Sequence, residues 1–145
     1  MVELTSEDLN FFSMFEKLTG VMPTDFLSNE TGIYFLVPIN ELGKAIGKKG
    51  ANIEKLKGAV RKKVVIVPDS NDLEEFVKGF FSNVEIINVE VREAMGERAV
   101  FLTVAEKDRG IAIGKAGERI KTAKTFLKKK FNSTISLHTR KTDIY

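Results

Sequence analysis

Leu9, Phe12, Phe15 and Leu18 recur at three-residue intervals, a spacing that predicts a helix opening after a Ser6 cap with one apolar stripe turned inward. Ser70, Asp72, Leu73 and Phe76 repeat the start of that pattern and predict a second such helix. Each is followed by short apolar runs of strand character, Ile33 to Val37 early in the chain and Val100 to Val104 later. Asn83 to Arg92 and Glu97 to Ala105 flank Met95-Gly96 as a hairpin. Further on, Ile53, Leu56, Ala59 and Val60 mark an amphipathic helix, and Ile120, Ala123, Phe126 and Leu127 mark another. Val64 to Val67 and Thr134 to His138 close each half as strands. The predicted order is helix, two strands, two helices, strand, and it occurs twice.

The two halves are copies. Gly43 to Lys63 aligns without gaps on Gly110 to Lys130, with Ala45/Ala112, Ile46/Ile113, Gly47/Gly114, Lys48/Lys115, Gly50/Gly117 and Ile53/Ile120 identical. A chain of 145 residues with this repeat reads as two small domains, 1–68 and 69–145, joined near Pro68-Asp-Ser-Asn71. So short a joint is expected to keep the domains packed with a continuous binding surface.

Charge changes the picture more than composition does. The net charge is only +3, yet Gly43 to Lys63 holds eight basic residues against Glu54, and Arg109 to Lys130 holds eight against Glu118. Each segment is therefore +7 and the remainder is −11, so the basic charge forms two blocks on an acidic body, as a localised anion-binding surface requires. The absence of cysteine excludes disulfides, thiolate metal sites and cysteine nucleophiles, and His138 is the lone histidine. No metal site or cofactor is expected. With no apolar run of membrane-spanning length and an acidic N-terminus, the expectation is a cytoplasmic protein without membrane contact.

In each block lies Ile-Gly-Lys-x-Gly at a turn between two helices, Ile46-Gly47-Lys48-Lys49-Gly50 and Ile113-Gly114-Lys115-Ala116-Gly117. Glycines three apart allow a ligand close to the main chain, the following helix offers unpaired N–H groups, and the lysines add full charge, so the loops suit phosphate. A nucleotide-hydrolysing phosphate loop is disfavoured. Only three residues separate Gly43 from Gly47 and Gly110 from Gly114, and Lys48 and Lys115 are followed by Lys49 and Ala116, not by Ser or Thr.

These residues resemble the K-homology (KH) RNA-binding family and its IGxxGxxI signature, through Ile46, Gly47, Gly50 and Ile53 and again through Ile113, Gly114, Gly117 and Ile120. The element order resembles the type II arrangement. Ala45 to Ile53 is similar to the tandem KH region of NusA transcription factors, and the likeness covers essentially the whole chain. In lacking the polymerase-binding domain and S1 barrel of bacterial NusA, the chain looks like the short archaeal NusA-like proteins.

That resemblance implies an α+β fold of two tandem type II KH domains, each with a three-stranded sheet. It implies a non-enzymatic, monomeric factor of transcription elongation, termination or antitermination, with single-stranded RNA as ligand and RNA polymerase as a candidate partner. A ribosome- or RNA-processing-associated KH module is the alternative. Gly47, Lys48, Lys49 and Gly50 would hold one RNA segment and Gly114, Lys115, Ala116 and Gly117 another. The first loop, with two lysines, is expected to grip phosphate more strongly. Ile46, Ile53, Ile113 and Ile120 are expected as core, with groove floor as their other role. Arg119 could stack on a base or reach phosphate, and Asn52, at the matched position, could bond a base edge. Phe11, Phe12, Phe15, Phe76, Phe80 and Phe81 read as core, and Lys128 to Lys130 as general electrostatics.

Overall fold

The computed structural model describes the backbone of residues 6–142 and the side chains of 9–142. The chain forms two compact units, Met1–Ser70 and Asn71–Tyr145. The division falls after Ser70 because the last strand of the first unit continues through Asp69, with Pro68 and Asp69 opposite Val37 and Pro38.

In the first unit, helix α1 (Ser6–Thr19) precedes strands β1 (Asp25–Ser28) and β2 (Gly32–Pro38), helices α2 (Leu42–Ile46) and α3 (Ala51–Val60), and strand β3 (Lys63–Asp69). The second repeats this order with α4 (Leu73–Phe80), β4 (Ile86–Ala94), β5 (Glu97–Ala105), α5 (Arg109–Ile113), α6 (Glu118–Phe131) and β6 (Ser133–Arg140). Among the described residues there are two three-stranded sheets, ordered β1-β2-β3 and β4-β5-β6. In each, the first pair is antiparallel and the second parallel. A parallel return needs a crossover, which the helix pair supplies, and the glycine loop sits at its midpoint.

Alternation along β2 sends Ile33, Phe35 and Val37 into a core with Phe15, Val21, Ala45, Leu56 and Val64. Such fully buried side chains each stabilise by about 1.5–3 kcal/mol. Phe15 lies against Phe35 with ring centroids 4.4 Å apart. The α1 stripe is graded: Phe15 is fully buried, Phe12 and Leu18 are half-buried, and Leu9 is 52% exposed. In the second unit the helix residues Phe76, Phe80, Phe126 and Leu127, Phe81 just past α4, and the strand residues Val100, Leu102 and Val104 are buried.

Helix α4 is capped by Asp72, whose carboxylate accepts from the Glu75 N–H at 2.9 Å. Ser70, expected as the cap, is instead buried two residues upstream. The matching Ser6 side chain lies outside the described residues. The Met95-Gly96 hairpin forms as expected, both residues having positive φ (55° and 81°), the conformation a two-residue turn needs to match strand twist.

Candidate functional site

Helix α2 ends at Ile46, and Gly47 turns the chain with φ 79° and ψ 167°. Lys49 (φ 55°, ψ 30°) and Gly50 (φ 75°, ψ 18°) are both left-handed, and α3 starts at the next residue. The second loop has the same backbone: Gly114 at 79° and 170°, Ala116 at 56° and 24°, Gly117 at 75° and 12°. A left-handed non-glycine residue costs about 1–2 kcal/mol, and both loops carry one at the same place.

The two glycines of each loop have different reasons. A Cβ on Gly47 would lie 2.8–2.9 Å from Asn52 Cγ, N and Nδ2, and one on Gly114 would lie 2.7 Å from Arg119 Cβ and 2.8 Å from its backbone N. At the first glycine, then, the start of the following helix presses on the main chain. A Cβ on Gly50 would meet nothing within 4 Å, and one on Gly117 only Lys121 Cε at 3.6 Å. The second glycine serves its positive φ and faces open space.

Neither α3 nor α6 has a side chain capping its N-terminus. The first N–H of each helix is taken by the loop itself, that of Ala51 by the Lys48 carbonyl and that of Glu118 by the Lys115 carbonyl, and each loop lies at the positive end of a helix dipole. Lys48, Lys49 and Lys115 are exposed and, among the described residues, pair with no carboxylate. Glu54, in the first turn of α3, is held by Lys57 at 3.5 Å. Ile46, Ile53, Ile113 and Ile120 are all half-buried. Strand β3, at the edge of its sheet, contacts both α2 and α3.

Asn52 and Arg119 point back into the fold. Asn52 Nδ2 donates to the Lys44 carbonyl at 2.9 Å, and Arg119 Nη1 donates to the Ile111 carbonyl at 3.2 Å. These two carbonyls are equivalent in the repeat. Arg119 Nη2 also donates to the Phe80 carbonyl at 3.0 Å and to Asn83 Oδ1, and the guanidinium lies over the Phe81 ring, 5.2 Å from its centroid. In this arrangement both side chains brace the preceding helix. From the sequence Phe81 was read only as core and Asn83 only as the start of a strand, because their link to the loop exists only across the tertiary fold.

The outlying basic residues also divide. Lys44, Lys55, Lys57, Lys121 and Lys124 are exposed. Lys62 donates to Ser28 Oγ and the Asn29 carbonyl, tying the β1–β2 turn to the end of α3. Lys128 donates to Asn132 Oδ1, and Lys130 lies over the Phe76 and Phe131 rings, so part of that basic run has local packing work. His138 is on β6, its ring 6.1 Å from that of Phe101 and its Nε2 3.2 Å from Ser136 Oγ. Among the described residues no His, Cys, Asp and Glu side chains gather in a group that could hold a metal, and no helix is long and apolar enough to cross a membrane.

Known proteins resemble this chain in sequence and in fold. The KH domain family matches residues 72–143, a segment that starts at the α4 cap and includes all of β6. The probable transcription termination protein NusA of Methanococcus vannielii is 33% identical over 122 residues, covering 84% of this chain and 70% of that protein. Its counterpart in Halobacterium salinarum is 30% identical over 131 residues, covering 90% of this chain and 94% of that one. The crystal structure of APE1850 superimposes with a TM-score of 0.74 at 38% identity, covering 94% of this chain and 99% of that chain. With near full-length matches of this kind, and a KH domain around the second glycine loop, the chain belongs to the archaeal NusA family.

Proposed function

We propose that the protein binds single-stranded RNA as a non-enzymatic factor of the transcription machinery, with both units acting as type II KH domains and both glycine loops as the contact sites. What carries this reading is the repetition of one strained loop backbone: the same φ and ψ at Gly47 and Gly114, Lys49 and Ala116, Gly50 and Gly117. A turn that needed only to join two helices would not require two successive left-handed residues in each copy, one of them not glycine. Placed at a helix N-terminus without a side-chain cap, beside exposed lysines, it suits a phosphate backbone that comes close to the main chain. KH loops clamp about four nucleotides in this way.

In this reading Gly47, Lys48, Lys49 and Gly50 hold one segment, and Gly114, Lys115, Ala116 and Gly117 hold another. The half-buried Ile46, Ile53, Ile113 and Ile120 give the bases an apolar floor. The transcription role rests on the names of the relatives, with RNA polymerase as the protein partner and the monomer as the working form.

The test is fluorescence anisotropy of labelled single-stranded RNA pools with wild type and with a variant carrying Lys48→Asp, Lys49→Asp, Lys115→Asp and Ala116→Asp, its folding checked by circular dichroism. Loss of binding by the folded variant is expected. The logarithm of wild-type affinity should also fall with the logarithm of salt by about 0.7 per phosphate neutralised. A folded variant that binds as tightly as wild type would remove the loops from the site.

A further inference from the structure

We infer that Arg119 is a positioning residue for the second glycine loop, holding that loop in its RNA-ready geometry without itself touching RNA. The inference rests on the reading of the loops as the RNA site, and it assigns Arg119 a role different from that of the lysines beside it.

Arg119 is the second residue of α6, where a cation is disfavoured by the positive end of its own helix dipole. Its guanidinium crosses to the opposite kind of end. Nη1 meets the carbonyl of Ile111 in the last turn of α5, and Nη2 meets the carbonyl of Phe80, the final residue of α4. The last carbonyls of a helix lack intrahelical donors and carry the negative end of its dipole, so one side chain satisfies two helix ends at once. Asn83 Oδ1 and the Phe81 ring complete its surroundings. At the other end of the side chain, Arg119 Cβ and backbone N occupy the space a Cβ on Gly114 would need. The residue thus fastens the first glycine of the loop, the helix before it and the end of α4 to the start of α6.

The first unit shows why this is specific to the second loop. There α1 finishes within its own last turn: Gly20, at φ 75°, donates to the Glu16 carbonyl, and Thr19 Oγ1 donates to the Phe15 carbonyl. Asn52 therefore has one carbonyl to hold, that of Lys44. Helix α4 ends instead at Phe81 with φ −104° and ψ 37°, with no glycine, and leaves a carbonyl for Arg119. The second loop has one lysine where the first has two, and its bracing is correspondingly larger.

The test uses the full chain with Arg119→Lys, which keeps the charge but cannot reach three acceptors with a planar fork, and Arg119→Met, which keeps only the stem. Asn83→Ala, which removes one tie and leaves Arg119 in place, serves should either lose its fold. Two readouts are taken: backbone amide NMR signals of Lys115 to Gly117 in the free protein, and RNA affinity across a salt series. A brace predicts that both Arg119 variants shift the loop amides. It also predicts that both weaken RNA binding by about tenfold, as a loop competent one-tenth of the time would, with an unchanged salt slope. Asn83→Ala should move both readouts the same way by less. If Arg119→Lys binds like wild type while Arg119→Met loses affinity and about 0.7 of salt slope, Arg119 contacts phosphate and the inference falls. Unmoved loop amides in the folded variants also overturn it. Those amides are read without RNA, so a wild type that failed to bind RNA would refute the loops as the site while leaving the brace to be judged separately.

Discussion

Replacing either glycine of one loop by alanine should give two different losses of stability. Gly47 has φ 79° and ψ 167°, a region essentially reserved for glycine, which costs another residue about 1–3 kcal/mol. The added methyl would also lie 2.8 Å from Asn52 Cγ and 2.9 Å from its backbone N, inside normal contact. That N belongs to the first turn of α3, which is fixed in turn by Leu56 in the core, so relief means moving the helix. Overpacking of this kind costs about another 1–3 kcal/mol, for a total of about 2–6 kcal/mol. At Gly50 there is only the left-handed conformation, φ 75° and ψ 18°, with nothing near the new methyl, and the cost is about 1–2 kcal/mol. Urea unfolding followed by far-UV circular dichroism measures both, with an unchanged m value as the check that only stability moved. The order should repeat at Gly114, where the methyl meets Arg119 Cβ at 2.7 Å, and Gly117, where it meets only Lys121 Cε at 3.6 Å. RNA binding should report the opposite order among folded variants, because the methyl at Gly50 stands on the open side a phosphate must approach. If Gly47→Ala is no more costly than Gly50→Ala, and Gly114→Ala no more than Gly117→Ala, the division of roles between the glycines is refuted.

Asp72→Ala should cost about 1 kcal/mol in chemical denaturation and Asp72→Ser far less, since serine can still accept from the Glu75 N–H. Thr19→Val removes a 2.7 Å bond to the Phe15 carbonyl and the 3.0 Å acceptor of the buried Val21 N–H, so a loss of about 1–3 kcal/mol is expected in the same assay. Met95→Asn should raise stability by about 0.4–1 kcal/mol, because the exposed Met95 holds φ 55° at a turn that favours Asn-Gly; an unchanged or lowered denaturation midpoint would contradict this.

What the sequence made legible followed from periodicity and repetition. The continuous apolar run Ile33 to Val37 became β2, and the stripe Ile120, Ala123, Phe126, Leu127 became the inner face of α6. Element ends were less legible, because caps are chosen by geometry: Ser70 and Asp72 are both good capping residues, and only the position of the first helical turn at Leu73 selects Asp72. Leu9 satisfied the apolar period of α1 and still emerged exposed, since a stripe says which face turns inward and not how far its covering extends. Arg119 shows the limit most clearly. Its placement beside a phosphate-suited loop pointed to a ligand contact, whereas two of its three acceptors come from Phe80 and Asn83, 39 and 36 residues away in the chain. No local pattern encodes that approach.

The comparison of the two loops carries the remaining step. Because their backbones coincide, any functional difference between them must come from side chains, and the differences run in opposite directions. The first loop has Lys48 and Lys49 with a single amide, Asn52, behind it; the second has Lys115 alone, with the many-contact brace of Arg119 behind it. Charge at the first loop raises attraction for any phosphate chain and should appear mainly in salt dependence, whereas rigidity at the second lowers the ordering cost of binding and should appear mainly as affinity that salt does not alter. Reversing the charge difference alone, with Lys49→Ala and Ala116→Lys in one chain, should therefore preserve the overall salt slope while moving RNA protection of the loop amides toward the second unit. If the protection pattern stays with the first loop after the exchange, lysine number is not what ranks the two sites.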